Sequence, residues 1–347
     1  MLVKRPNPAF WAGRQVLLTG HTGFKGAWAA GILHALGARV TGFALDPAAG
    51  SSAFAALGVA GVLAHDLRGN LCDAEAVERA VQGADVVLHL AAQAIVSEGF
   101  RDPVGTWGTN VSGTLHLLQA LRGKGVQAAV IVTTDKVYRN ALPRAFVETD
   151  PLGGDDPYSA SKAACEMLVE SHRTSFSDLP PVATARAGNV IGGGDFGADR
   201  LIPDLIRAQM AGRPLALRNP DATRPFQHVL DVIAGYLLLA EALIAGKAPP
   251  AVNFGPIEVE LSVRDMLAAW AEATGTAPDW RPSTTPPLPE KSRLALDSSL
   301  ARSDLGWAPH LSTRAAVTAT AAWYRDWQAG SDMAPATDTA IRSFLEC

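Results

Sequence analysis

Residues 15–37 constrain this chain more than any other stretch. Gln15-Val-Leu-Leu-Thr19 is a short apolar run that passes without a break into Gly20-His-Thr-Gly23-Phe-Lys-Gly26. A helical pattern starts there, with Phe24, Trp28, Ile32 and Leu36 on one side and Gly37 as its stop. Strand, glycine turn and helix in that order present backbone N–H groups at a helix start, where a pyrophosphate binds. The bare turn lets phosphate reach the main chain. Its spacing, G-x-x-G-x-x-G, differs from the common G-x-G-x-x-G, but its place after a first strand predicts a dinucleotide site rather than an ordinary turn.

The unit then repeats. Residues 39–45 predict a second strand with Asp46 at its end, where a carboxylate takes a ribose 2′-hydroxyl and repels a 2′-phosphate. That favours NAD over NADP, the alternative being a turn opened by Asp46 before Pro47. A third strand is expected within residues 59–71 and a helix over 74–82. Residues 85–90 are the clearest buried strand, followed by Ala91-Ala92-Gln93 at the end that faces a ligand crevice in an open parallel sheet. A helix over 110–121 and a strand over 129–132 follow, and another strand is expected over 182–186. Alternating strands and helices predict an α/β fold, a doubly wound parallel sheet.

Two stretches at that crevice carry chemistry. The fifth strand delivers Thr133-Thr134-Asp135-Lys136, and a later helix opens with Asp156 as cap, Pro157 in its first turn, then Tyr158 and Lys162. Four residues apart on a helix, Tyr158 and Lys162 share a face. The lysine ammonium and the positive helix end both favour phenolate, and such a tyrosine can take a proton from a sugar hydroxyl while its carbon is oxidised. Taken alone, Y-x-x-x-K is common by chance, so the surrounding platform carries the assignment. Beyond the loop Gly188-Asn-Val-Ile-Gly-Gly-Gly194-Asp195, helices are expected at 202–211, 230–244, 263–272, 298–305 and 313–328, with a proline-rich connection over 278–289. They predict a smaller, mostly helical lobe over the sheet edge. Arg200, Arg218 and Arg224 gather there with His228, either as solvated loop cations or as a clamp for a diphosphate. The resulting division is 10–187 for the cofactor domain, to which some later segments return, 188–330 for the lobe and 331–347 for a tail.

Bulk properties narrow the partners. A formal charge of -4 without a basic cluster gives no reason to expect nucleic acid or an anionic membrane. The most apolar long window, residues 232–246, contains Glu241 and is shorter than the ~20 residues of a bilayer span, which predicts a buried helix. Cys72, Cys165 and Cys347 are odd in number and far apart, a pattern suited to a reducing cytoplasm. No metal ligand is assigned.

Together these residues resemble the extended short-chain dehydrogenase/reductases that act on nucleotide sugars, with a Rossmann cofactor domain. Within that group, residues 20–26, Asp135-Lys136, Asp150-Pro-Leu-Gly-Gly154, residues 189–195 and Arg224-Pro-Phe-Gln-His-Val229 are similar to the CDP-D-glucose 4,6-dehydratases, over about residues 10–327. Lysine at 136 discriminates, since the dTDP- and GDP-sugar dehydratases place glutamate there and the 4-epimerases lack the acid–base couple. The resemblance implies that Tyr158, helped by Thr134, takes the 4-hydroxyl proton of a CDP-glucose substrate. A neutral Lys136 would remove the C5 proton and Asp135 would protonate the departing 6-hydroxyl. NAD, contacted by Gly20, Thr22, Gly23, Phe24, Gly26, Asp46, Asn70, Leu71, Leu90, Ala91, Ala92, Tyr158 and Lys162, would take hydride from C4 and return it at C6. Gln93, Asn189, Arg200, Arg218, Arg224 and His228 would contact the substrate, and helices flanking the sheet would pair the chain as a homo-oligomer, dimer or tetramer. Two departures stand out: Asn70 replaces an aspartate expected near the adenine, and residues 139–144 differ from the usual acidic text. Another nucleotide-sugar dehydratase, a 4-epimerase and a non-catalytic NAD sensor are the alternatives.

Overall fold

The computed structural model describes residues 3–139, 144–257, 261–284 and 293–346. Most of the divergent loop at 139–144, part of the proline-rich connection and Cys347 lie outside the described residues. Seven parallel strands form the central sheet: β1 (Gln15–Thr19), β2 (Arg39–Ala44), β3 (His65–Arg68), β4 (Val86–His89), β5 (Ala128–Val132), β6 (Val182–Ala187) and β7 (Ala251–Phe254). Their order is β7-β6-β5-β4-β1-β2-β3, so the winding reverses between β1 and β4 and opens a crevice at their carboxyl ends.

The strands read as apolar runs because both faces are covered. Val16, Leu18, Val86, Leu88, Val130 and Val132 enter one core, while Leu17, Val87, Ala129 and Ile131 enter the other. The two-residue period of each strand sorts its side chains between the layers. One layer includes the helix Phe24–Ala35 and the other the helices Ala74–Val81 and Gly113–Leu121. β3 lies at the sheet edge, and its four residues are all exposed.

The lobe forms from Leu201–Met210, Val263–Thr274 and Thr313–Gln328, joined to short strand pairs such as Leu215–Leu217 with Trp280–Pro282. Ser262 and Asp265 close a reciprocal capping box at the start of the Val263–Thr274 helix, and Ser312 caps Thr313–Gln328. The apolar window becomes the helix Val229–Ile244, packed against β5, β6 and the Phe24–Ala35 helix, so this part of the lobe's sequence returns to the sheet domain, as β7 does. Among the described residues no helix is long and apolar enough to cross a membrane. Residues 333–346 are a helix rather than a plain tail, and Met333, Ile341 and Phe344 are buried in the core beside Phe24–Ala35.

Candidate active site

At the crevice the glycine turn folds back on the sheet. A methyl group on Gly20 would come within 2.7 Å of Ala91 N, and one on Gly26 within 2.1 Å of Gly20 O. Neither position admits a side chain, so the Phe24–Ala35 helix begins directly above the ends of β1 and β4. Gly20, Thr22, Gly23, Phe24 and Gly26 line a cleft of about 530 Å³. Asn70, Leu71, Leu90, Ala91 and Ala92 line the same cleft, which suits the long, bare floor a dinucleotide requires. The Asn70 amide accepts a hydrogen bond from Cys72 N at 2.9 Å, forming a local turn.

The turn after β5 supplies the reactive groups. Residues Asp135–Val137 form a single 3-10 turn, which bends the strand's end so that Asp135 and Lys136 both line the cleft instead of pointing to opposite sides. Thr134 Oγ1 donates to Asp135 Oδ1 at 3.0 Å. Asp135 is 2% exposed, and its Oδ2 has no hydrogen-bond partner among the described residues. That oxygen sits beside Gly188, where an added methyl would come within 3.1 Å. A buried carboxylate oxygen left unpaired is costly, and a ligand hydroxyl would relieve it. Lys136 is half-buried and makes no ion pair among the described residues.

Tyr158 and Lys162 reach the cleft from the helix Pro157–Ser175, whose first turn is fixed by Asp156 accepting from Ser159 N at 2.9 Å. Here the electrostatics differ from the sequence expectation. Lys162 Nζ donates one of its N–H groups to Val132 O at 3.0 Å, which ties the ammonium to the end of β5 and leaves its other donors available. Burial pushes the Tyr158 phenol up to about 12, against the nearby Thr134 hydroxyl, which pulls it down, with the Asp135 charge adding to the rise and Arg200 opposing it. Desolvation outweighs the nearby cations, and without ligand Tyr158 is a neutral phenol.

Asn189, Arg200, Arg218 and Arg224 line the cleft, whereas three other residues expected there do not. Asp46 turns outward with its carboxylate 87% exposed, 3.8 Å from Arg68 Nε. Gln93 is held by its neighbours, its amide donating to Thr106 at 2.8 Å and accepting from Ile95 N at 2.5 Å. His228 caps the Val229–Ile244 helix and is buried, which lowers it to about 4 and keeps it uncharged. Arg200 is paired with Asp195 at 2.8 Å, and Arg218 Nη1 lies 3.9 Å from Asp199 Oδ1, so a diphosphate would have to compete with carboxylates for these guanidinium groups.

Lys25 lines the cleft as well and was not anticipated. Burial first, then Arg200, lower it to about 8, with Asp135 opposing. The available signal was a lysine in the first turn of a helix, where a cation is disfavoured. Ser97 and Asp199 also border the cleft, and the Ser97 hydroxyl donates to the Asp199 carboxylate. Asp199 holds φ at 58°, unusual for a residue with a side chain. Among the described residues no group of three or more potential metal ligands is gathered.

Residues 16–255 match the model of the NAD dependent epimerase/dehydratase family. The chain belongs to that family. It is 35% identical to the CDP-glucose 4,6-dehydratase of Salmonella typhimurium over 97% of both chains. It is 32% identical to the dTDP-glucose 4,6-dehydratase of Streptomyces griseus, over 75% of this chain and 78% of that one. Among solved structures, a double mutant of DesIV, the dTDP-glucose 4,6-dehydratase of Streptomyces venezuelae, with NAD and DAU bound, superposes with a TM-score of 0.80 at 25% identity, covering 91% of this chain and 98% of that one. TunA, a NAD dependent NDP-hexosamine 5,6-dehydratase, superposes at 0.78 and 26% identity, covering 92% and 99%. Epimerase/dehydratase family membership accounts for the shared platform, and the turn at 135–137 is where chemistry beyond a single oxidation has residues to act with.

The burial of Tyr158 sets a pH test. A raised acid stays protonated to higher pH, so the phenolate absorbance of wild type minus Tyr158→Phe should show no Tyr158 signal up to pH 10 without ligand. With NAD present, whose nicotinamide is positive, the signal should appear at lower pH. A Tyr158 ionisation at its ordinary value of 10 in the unliganded protein would contradict the dominance of burial.

Proposed function

We propose that this chain is a NAD-using hydro-lyase that converts CDP-glucose to CDP-4-keto-6-deoxyglucose. The observation that carries the reading is the 3-10 turn that brings Asp135, with an unpaired oxygen, and Lys136 into one cleft with Tyr158. Oxidation and its reversal at one carbon need a single proton acceptor, which Tyr158 supplies. A second acid–base couple is useful only if another bond is broken. The CDP-glucose 4,6-dehydratase that aligns along nearly the whole chain supports the choice of sugar and base.

In this reading bound NAD supplies an acceptor for the hydride of C4 and its donor at C6. Tyr158, as the phenolate that a bound positive nicotinamide favours, takes the 4-hydroxyl proton, with Thr134 beside it lowering the cost of that charge. The 4-keto group acidifies the proton at C5, which Lys136 removes from the half-buried turn. Asp135, taking up a proton as the substrate covers it, would hand that proton to the departing 6-hydroxyl from the carboxyl edge that no donor among the described residues occupies. Arg200, Arg218 and Arg224 bind the diphosphate, and Asp195 releases Arg200 as phosphate oxygens replace it. The glycine turn receives the dinucleotide pyrophosphate on its N–H groups.

We also infer a homo-oligomer in a reducing cytoplasm. Val104, Trp107, Leu115 and Met167 are exposed on neighbouring helices flanking the sheet, an apolar face that a second copy would cover. Light scattering should give at least twice the chain mass for wild type and the single-chain mass for Val104→Asp combined with Met167→Glu. A monomeric wild type would refute the pairing.

Incubation with NAD and CDP-glucose should yield the 4-keto-6-deoxy sugar nucleotide with no net reduced cofactor. Recovery of CDP-glucose unchanged, or epimerised at C4, would refute the dehydratase reading. A panel of CDP-, dTDP-, GDP- and UDP-glucose tests the base, with CDP-glucose expected to give the highest kcat/KM. Lys136→Met should slow product formation by roughly 10²- to 10⁴-fold, the usual worth of a general base. Oxidation at C4 should persist in that variant, seen as accumulated reduced nicotinamide, and undiminished turnover would remove Lys136 from the mechanism.

A further inference from the structure

Behind the cleft, and reaching its lining at Thr133, lies a buried ionic network that the proposed reaction does not itself use. Glu166 follows Lys162 by one helical turn and is 5% exposed. Its carboxylate accepts four hydrogen bonds. Thr133 Oγ1 donates to Oε1 at 2.5 Å and Thr184 Oγ1 to Oε2 at 2.6 Å, while Arg186 Nε and Nη2 reach Oε1 and Oε2 at 2.9 and 2.8 Å. Arg186 Nη1 then donates to Tyr138 Oη at 2.8 Å and to Glu148 O at 2.9 Å. Tyr138 Oη donates in turn to Asn253 Oδ1 on β7 at 2.6 Å.

The two side chains this network grips on the catalytic segment are Thr133 and Tyr138, which stand immediately either side of residues 134–137. We propose that Glu166, acting through Thr133 and through Arg186 and Tyr138, is a positioning residue that sets where Asp135 and Lys136 meet the sugar. The inference rests on the dehydratase reading. Its physical basis is that a short turn clamped at both ends by charge-assisted hydrogen bonds has little freedom to drift. The Tyr158 end of the site has other anchors: the Asp156 cap, and Ser161, which donates to Tyr158 O and accepts from Asn110 Nδ2. Loosening the network should therefore harm the elimination that Asp135 and Lys136 perform more than the oxidation that Tyr158 performs.

Removing Glu166 itself would strand Arg186 as a buried unpaired charge and risks the fold. The test uses milder variants. Thr133→Val and Tyr138→Phe each delete one hydroxyl at one end of the turn and keep the shape; the Tyr138 ring retains its stack on Phe146 at 4.8 Å. Thr184→Val deletes an equivalent donor to Glu166 on β6, away from the turn, and serves as the control. With CDP-glucose and NAD, the two turn variants should lose roughly 10-fold in kcat with KM within about 2-fold, the scale expected when reacting groups are slightly misplaced. They should accumulate more bound reduced nicotinamide at steady state than wild type and exchange the C5 proton with solvent deuterium more slowly. Thr184→Val should leave that partition unchanged, even where thermal unfolding shows a comparable loss of stability.

Equal effects of all three variants in proportion to lost stability, or a parallel fall in oxidation and elimination, would overturn the inference while leaving the dehydratase reading intact. Unchanged kinetics in the turn variants would overturn it as well. Wild-type protein inactive on every nucleoside diphosphate glucose would instead sink the functional reading, and this one with it.

Discussion

The structure depends on a close backbone approach: the turn after β1 lies against the end of β4 with no room for a side chain at Gly20, and the helix above begins against Gly20 O with none at Gly26. This contact brings the start of the Phe24–Ala35 helix over the point where the strand order reverses. Every strand beyond β4 then adds to the same carboxyl edge. β5 brings Asp135 and Lys136, and the Pro157–Ser175 helix brings Tyr158 and Lys162, so groups distant in sequence converge without a dedicated scaffold.

Charge in the cleft is arranged around the ligand that would fill it. Lys25, Lys162, Arg200, Arg218 and Arg224 all line it, with Asp135 and Asp195 as nearby counterweights. Burial moves Lys25 and Tyr158 towards their neutral forms and lowers Lys162 as well. Burial thus holds these three groups nearer the protonation states that are cheapest without ligand. A diphosphate and a positive nicotinamide would change that balance in opposite directions, strengthening the lysine charges and weakening the hold of the phenol on its proton.

How much of this could be read beforehand follows from what each residue touches. The helix Thr313–Gln328 was legible at both ends because its cap and its apolar spacing are local. β3 was hard to place because its four residues are exposed and give no alternation. β7 was missed because it pairs with β6 across a long stretch of helix and loop, and four residues after two prolines carry little period of their own. In the site, glycines and the residues just after strand ends were readable because main-chain geometry decides their place. Asp46, Gln93 and His228 stand outside the cleft lining because tertiary partners decide their place: an exposed arginine, a neighbouring threonine, and a helix N-terminus. Helical spacing did show that Tyr158 and Lys162 share one cleft, but it could not show that burial would outweigh the cations around the phenol.

The helix Met333–Glu346 packs on Phe24–Ala35, with Ile341 seated so close to Gly31 that a methyl group there would come within 2.7 Å of it. The helix that opens the nucleotide platform is therefore seated on its far flank by residues remote from it in sequence, with Gly31 as the notch that receives Ile341. A bulkier residue in that notch would wedge the two helices apart, and a close-packed interior would pass the displacement along Phe24–Ala35 to the bare turn at its other end.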